Sequence, residues 1–143
     1  MNKLLFLDFD GVLHPTHFAG EDPFNRVHLL EESLASSDLG IVISSSWRFT
    51  HSIEKLQRLL PNSISNLVIG VTGAPVIGKY PRYQEIQTYL QSHKQSNWRA
   101  LDDSYWEFPS NCQELIRCNP NTGISEKQIL ELKQWLSRHS STF

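Results

Sequence analysis

The chain has 143 residues, of which 39% are hydrophobic, 20% charged and 10% aromatic. That is enough for one substantial core and too little for two, and the absence of biased or repetitive tracts excludes a coiled coil, a solenoid or a disordered tail-like protein. A formal charge of −2 excludes a general basic field, so a nucleic-acid partner would need a local patch. The expectation is a single domain over residues 1–143.

The first apolar run, Leu4-Leu5-Phe6-Leu7, stops after four residues at Asp8. It is too short for a signal-peptide core or a membrane span, so a cytoplasmic protein without a membrane partner is expected. Cys112 and Cys118 are too far apart for a redox or zinc-knuckle pair and read as reduced packing residues.

Lys3–Leu13 reads as a buried strand that ends in Asp8, Phe9, Asp10 and Gly11. Residues two apart on a strand share a face, so Asp8 and Asp10 can look into one crevice while Phe9 packs. Alone, Asp10-Gly11 also suits a type I′ hairpin turn with both acids solvated.

His14 to Pro23, with two prolines and a glycine, is a loop or flap in which His14 and His17 read as solvated residues. Val27, Leu30 and Leu34 predict a helix from Phe24 to about Ser36, and Leu39–Ile43 predicts a second buried strand leading into Ser44-Ser45-Ser46. A second helix is expected over about Thr50 to Leu60, stopped by Pro61, and a third strand over Leu67–Val71. After a glycine-punctuated loop, Pro81 opens a helix with Ile86, Tyr89 and Leu90 on its inner face.

Trp98–Leu101 then runs into Asp102-Asp103, and Glu114–Cys118 is a weaker strand suited to a sheet edge. Ser125 and Gln128 form a capping box for a last helix carrying Ile129, Leu132 and Leu136. Strands and helices alternate throughout. The pattern predicts an α/β three-layer, Rossmann-like sandwich with a mainly parallel five-stranded sheet, whose ligands gather at the carboxyl ends of the strands.

Three of those ends carry polar chemistry: Asp8 and Asp10, Ser44 and Ser45, Asp102 and Asp103. A hairpin does not account for this convergence. Several carboxylates with few nearby sulfur or imidazole groups make a hard oxygen site suited to Mg²⁺. Such an ion would let one aspartate attack phosphorus while its neighbour serves the leaving oxygen.

These motifs resemble those of the haloacid dehalogenase (HAD) superfamily of phosphatases. Leu4–Leu13 matches its Asp-x-Asp-Gly-Val motif, Ile41–Ser45 its strand ending in a hydroxyl, and Trp98–Asp103 its strand ending in paired acids. The resemblance implies Asp8 as nucleophile and Asp10 as general acid and base. It also implies Mg²⁺ held by Asp8, the Asp10 backbone carbonyl and either Asp102 or Asp103, with Ser44 or Ser45 donating to the phosphoryl group.

The resemblance also implies a phosphate cation near the start of the helix before the paired acids, Lys79 or Arg82, with a lean to Arg82. Arg82-Tyr83-Gln84-Glu85-Ile86 and Ser45-Ser46-Trp47-Arg48 resemble a small HAD subgroup associated with RNA-repair proteins. The intervals between motifs leave no room for a cap domain. The resemblance connects an open site with large phosphorylated substrates such as RNA or DNA ends or phosphoproteins, and it admits nucleotides and sugar phosphates too. A HAD-like binding module without turnover is the non-enzymatic alternative.

Other signals carry less. Gly73–Tyr80 nearly spells a P-loop, but Tyr80 stands where a Mg²⁺-binding hydroxyl is needed and Pro75 and Pro81 remove N–H donors. Trp47 and Trp106 lie beyond strand exits and suit either base stacking or buried anchoring. Arg48 suits a phosphate or a surface acid equally.

Overall fold

The computed structural model describes residues 3–16, 23–35 and 37–138. His17 lies outside them. Five strands, β1 (Leu4–Leu7), β2 (Gly40–Ile43), β3 (Val68–Val71), β4 (Trp98–Asp102) and β5 (Leu115–Arg117), form one sheet in the order β3-β2-β1-β4-β5. Every pairing is parallel, so Asp10-Gly11 is not a hairpin turn. The sheet is wholly parallel, and β5 takes the expected edge.

The strand order explains where a ligand belongs. From β1 the chain moves outward to β2 and β3, then returns to β4 on the other side of β1 and continues to β5. Crossovers diverging from a central strand open a crevice at its carboxyl end. Leu7 is in register with both Ile43 and Leu101, so Asp8, Ser44 and Asp102 emerge side by side.

Alternation along β1 sends Leu5 and Leu7 to one face and Leu4 and Phe6 to the other. The first pair packs with Leu30 and Leu34 of α1 (Val27–Leu34), Leu56 of α2 (Ile53–Leu59), Ile64 of α3 (Asn62–Ser65), and Ile129, Leu132 and Trp135 of α5 (Glu126–Ser137). The second packs with Ile86 and Leu90 of α4 (Pro81–His93) and with Trp98 and Phe108. Phe6 is set edge-on to Tyr89 and Trp98, with ring centroids 5.7 and 5.8 Å away. The result is the three-layer arrangement expected for a chain of this pattern. No helix among the described residues is long and apolar enough to cross a membrane, and Cys112 and Cys118 are free thiols.

The boundaries move where local backbone chemistry overrides periodicity. Phe24 has φ 63°, a left-handed value incompatible with a helix, so α1 starts at Val27. The second predicted helix is present as α2, capped by Ser52 and ended before Pro61; it is preceded by a 3₁₀ turn over Ser46–Phe49 that Ser45 caps and followed by the short α3. The α4 and α5 starts are as read, with Pro81 at the first helical position and the Ser125 N–H bonded to Gln128 Oε1 at 3.0 Å.

Candidate active site

Asp8 is the first residue beyond β1, and its N–H still bonds to the Leu101 carbonyl at 3.0 Å. The sheet therefore fixes its position. The residue is 6% exposed, and its Oδ1 accepts the Phe9 N–H at 2.8 Å. Asp102 is 2% exposed; Oδ1 accepts the Ser104 N–H at 3.0 Å and Oδ2 accepts from Arg82 Nη1 at 2.9 Å. The same Arg82 nitrogen is 3.5 Å from Asp8 Oδ1 and donates to the Ser44 carbonyl.

Asp103 completes the cluster: Asp8, Asp102 and Asp103 each place a carboxylate oxygen within 4.8 Å of the others. Gly11 makes this approach possible. Its φ is +77°, and a Cβ there would lie 2.6 Å from Asp103 Cγ, so both the turn and the space require glycine.

One guanidinium does not balance three clustered carboxylates. Burial, reinforced by Asp102, pushes the Asp8 carboxyl well above its ordinary range despite Arg82. Burial pushes Asp102 up to about 7, again against Arg82. Arg82 itself is more firmly protonated than usual, because Asp102, Asp8 and Glu107 outweigh the effect of burial on its charge. Buried carboxylates short of positive charge, in an all-oxygen set, fit a hard divalent cation.

The two hydroxyls separate cleanly. Ser45 Oγ accepts the Trp47 N–H at 3.2 Å as the cap of the 3₁₀ turn. Ser44 Oγ is buried without a hydrogen-bond partner among the described residues, although its backbone N–H bonds to the Leu7 carbonyl at 2.8 Å. A buried hydroxyl with no partner is costly in a core and useful beside a site that takes up an anion.

Arg82 and Lys79 also separate. Arg82 is in the first turn of α4 and reaches the acids; Lys79 is exposed, with Nζ 5.2 Å from the Tyr80 ring centroid, and enters none of the ion pairs among the described residues.

Asp10 is held differently from Asp8. Its Oδ1 is 2.8 Å from His14 Nε2, and its Oδ2 accepts from Trp47 Nε1 at 3.0 Å. The Phe24 N–H donates to His14 Nδ1 at 3.1 Å, which assigns the ring proton to Nε2 and points it at Asp10. His14 is 0% exposed, so it is not the solvated loop residue its surroundings in sequence suggest. The Trp47 ring is walled by Phe9, Phe24 and His51 at 5.4–5.5 Å, which makes it an anchor that aims a hydrogen bond.

Arg48 proves structural. It donates to Glu85 Oε1 at 2.8 Å, the Ser45 carbonyl at 2.9 Å and the Gly73 carbonyl at 3.1 Å. Both side chains of the Arg48–Glu85 pair are buried. Glu85 Oε2 also accepts the Val76 N–H at 3.2 Å, so an acid occupies the glycine loop that resembles a phosphate cradle. Arg82 and Glu85 are one helical turn apart and share a face; the buried pair thus ties α4 to the exit of β2 and holds Arg82 over the acids.

A parallel sheet with an aspartate after its central strand, a hydroxyl after the next, an arginine from a helix start and paired acids after the fourth strand defines the HAD-like class. The chain belongs to the family described as the HAD domain in Swiss Army Knife RNA repair proteins, whose family model matches residues 4–129. No curated protein and no solved structure matches it. Membership supports a HAD-type, phosphatase-like function. Among the described residues the connections between strands hold only loops and helices, with no sheet of their own, which agrees with a capless member.

Proposed function

We propose that this chain is a Mg²⁺-dependent phosphomonoesterase, one HAD-like phosphatase domain over residues 1–143, that works in the cytoplasm through an aspartyl-phosphate on nucleic-acid ends or nucleotides. The observation that carries the reading is the buried Asp8 carboxylate set between Arg82 and the Asp102–Asp103 pair, beside an unpartnered Ser44 hydroxyl. The substrate class is supported by the family's description as a domain of RNA repair proteins and by the open, capless edge.

Asp8, the Asp10 carbonyl and Asp102 or Asp103 would hold Mg²⁺, which when bound supplies the positive charge that lets a carboxylate approach a phosphate. Arg82 and the Ser44 hydroxyl orient the phosphoryl oxygens. An Asp8 carboxylate oxygen bonds to phosphorus as the bond from phosphorus to the leaving oxygen breaks, and Asp10 gives that oxygen its proton. Asp10, held by His14 and Trp47, then takes a proton from water as the water oxygen attacks phosphorus. The bond between phosphorus and Asp8 breaks, and inorganic phosphate leaves.

The test is hydrolysis of a generic aryl phosphate with and without Mg²⁺, followed by a panel of 3′- and 5′-phosphorylated oligonucleotides, phosphopeptides and sugar phosphates. Metal-dependent turnover with the oligonucleotides preferred is expected. Preference for sugar phosphates or phosphopeptides overturns the substrate assignment, and no turnover on any of them points to a binding module.

Ser44→Ala is expected to lower kcat by ~10- to 100-fold, because one preorganised donor is lost. Its metal-free melting temperature should stay level or rise, since removing a buried hydroxyl that has no partner leaves nothing newly unsatisfied. A marked loss of stability would mean that the hydroxyl is a structural group.

A further inference from the structure

Beyond Asp103 the carboxyl edge continues into a built groove. A cleft of about 330 Å³ is bordered by Asp103, Glu107, Tyr105, Trp106, Arg117 and Pro120. It shares Arg117 and Pro120 with a depression of about 890 Å³ whose charged lining, among the described residues, is Arg26, Arg117 and Lys127. In a chain of net charge −2, the depression is a local basic track, and the cleft that joins it to the acid cluster sets Arg117 against Asp103 and Glu107.

Two observations say what chemistry fits. Tyr105 and Trp106 are 66% and 62% exposed, two of the largest apolar surfaces left open, and the Arg117 guanidinium lies 4.8 Å from the Tyr105 ring centroid. Arg117 is paired in register with Asp102 across β4 and β5, so the sheet itself sets its distance from the acids. The far wall is equally tied to the site. The Ile124 N–H bonds to the Val12 carbonyl at 2.7 Å and the Thr16 N–H to the Pro120 carbonyl at 2.8 Å, while Thr16 Oγ1 reaches Asp103 Oδ2 at 3.4 Å.

We infer that this groove is a subsite for a single-stranded polynucleotide whose end lies at Asp8, with an unpaired base stacked on Tyr105 and Trp106 and the following phosphodiesters along Arg117, Arg26 and Lys127. Aromatic faces beside a basic groove bind single strands through stacking and phosphate contacts. A duplex keeps its base faces covered, a phosphopeptide does not carry a charge at every repeat, and neither uses both parts of the groove.

The inference rests on the substrate class proposed above, so its test avoids turnover. Unphosphorylated fluorescein-labelled hexanucleotides, DNA and RNA, are titrated by anisotropy against the whole chain, with a mononucleotide, the matching duplex and an acidic phosphopeptide as competitors. The hexanucleotide should compete at least ~10-fold better than the mononucleotide and better than the duplex. Trp106→Ala should weaken binding ~5- to 100-fold. Lys127→Glu, on an exposed helix start, should reduce the slope of log affinity against log salt by about one or more.

Equal affinity for mononucleotide and hexanucleotide, tighter binding of the duplex or phosphopeptide, or indifference to both substitutions overturns the groove. Aryl phosphate hydrolysis reads the chemistry at Asp8 alone, so failure of the reaction and failure of the groove are told apart.

Discussion

Asp8→Asn is expected to lower the kcat of phosphomonoester hydrolysis by at least ~10⁴-fold, as for loss of a nucleophile, and to make the metal-free protein more stable at neutral pH. Both effects come from the same burial. The amide keeps the shape of the side chain but cannot attack phosphorus or carry the charge that the crevice disfavours. The Asp8 carboxyl is pushed well above its reference value of 3.8, chiefly by burial, and Asp102 from 3.8 to about 7.

A carboxyl whose folded-state pKa exceeds its unfolded value binds its proton more tightly when folded. Its favourable contribution is complete below pH ~4 and is lost as pH rises through the folded value. The melting temperature of metal-free wild type should therefore fall between pH ~4 and ~7, the window set by Asp102, and should continue to respond above it through Asp8. Asp8→Asn should flatten that fall. Mg²⁺ should raise the wild-type melting temperature more at pH 8 than at pH 5, because it competes with protons for the same oxygens. Equal hydrolysis rates for wild type and Asp8→Asn would remove Asp8 from the nucleophile role, and a metal-free stability that climbs from pH 4 to 7 would refute the account of burial.

The sheet and most of the polar edge were legible because short-range patterns write them. Four apolar residues before Asp8, β-branched residues before Ser44 and the Trp98–Leu101 run before Asp102 each predict a strand with its chemistry at the exit, and parallel pairing brings the exits together. What was not legible depends on partners distant in the chain. His14 reads as a loop residue until the Phe24 N–H and Asp10 close on its ring. Arg48 reads as surface or ligand until Glu85 meets it in a buried pair. Ser44 and Ser45 are equivalent in a strand-exit motif and are distinguished by a backbone event, the 3₁₀ turn that consumes one hydroxyl and leaves the other unpartnered. The basic groove is the extreme case, since Arg26, Arg117 and Lys127 belong to no common motif.

Arg82→Ala should lower kcat/KM by ~10²- to 10³-fold, the loss expected when a preorganised cationic donor is removed from a developing phosphoryl charge. Lys79→Ala should change it by no more than a factor of about 3, as befits an exposed lysine set against the Tyr80 ring. The ranking follows from the placement of Arg82 Nη1, which reaches the Asp102 carboxylate, the Ser44 carbonyl and the edge of Asp8. Arg82→Lys should recover part of the activity, since a point charge remains while the planar fork is lost.

A second signature separates a cation at the site from a helix anchor. Arg82 lowers the pKa of both Asp8 and Asp102, so its removal raises them further, and the acid limb of the pH profile of kcat/KM should move to higher pH in Arg82→Ala. A merely structural arginine would lower activity uniformly and leave that limb in place. The reverse ranking, with Lys79→Ala the more damaged, would assign the phosphate cation to the loop instead of the helix and would require Lys79 to leave its place over the Tyr80 ring.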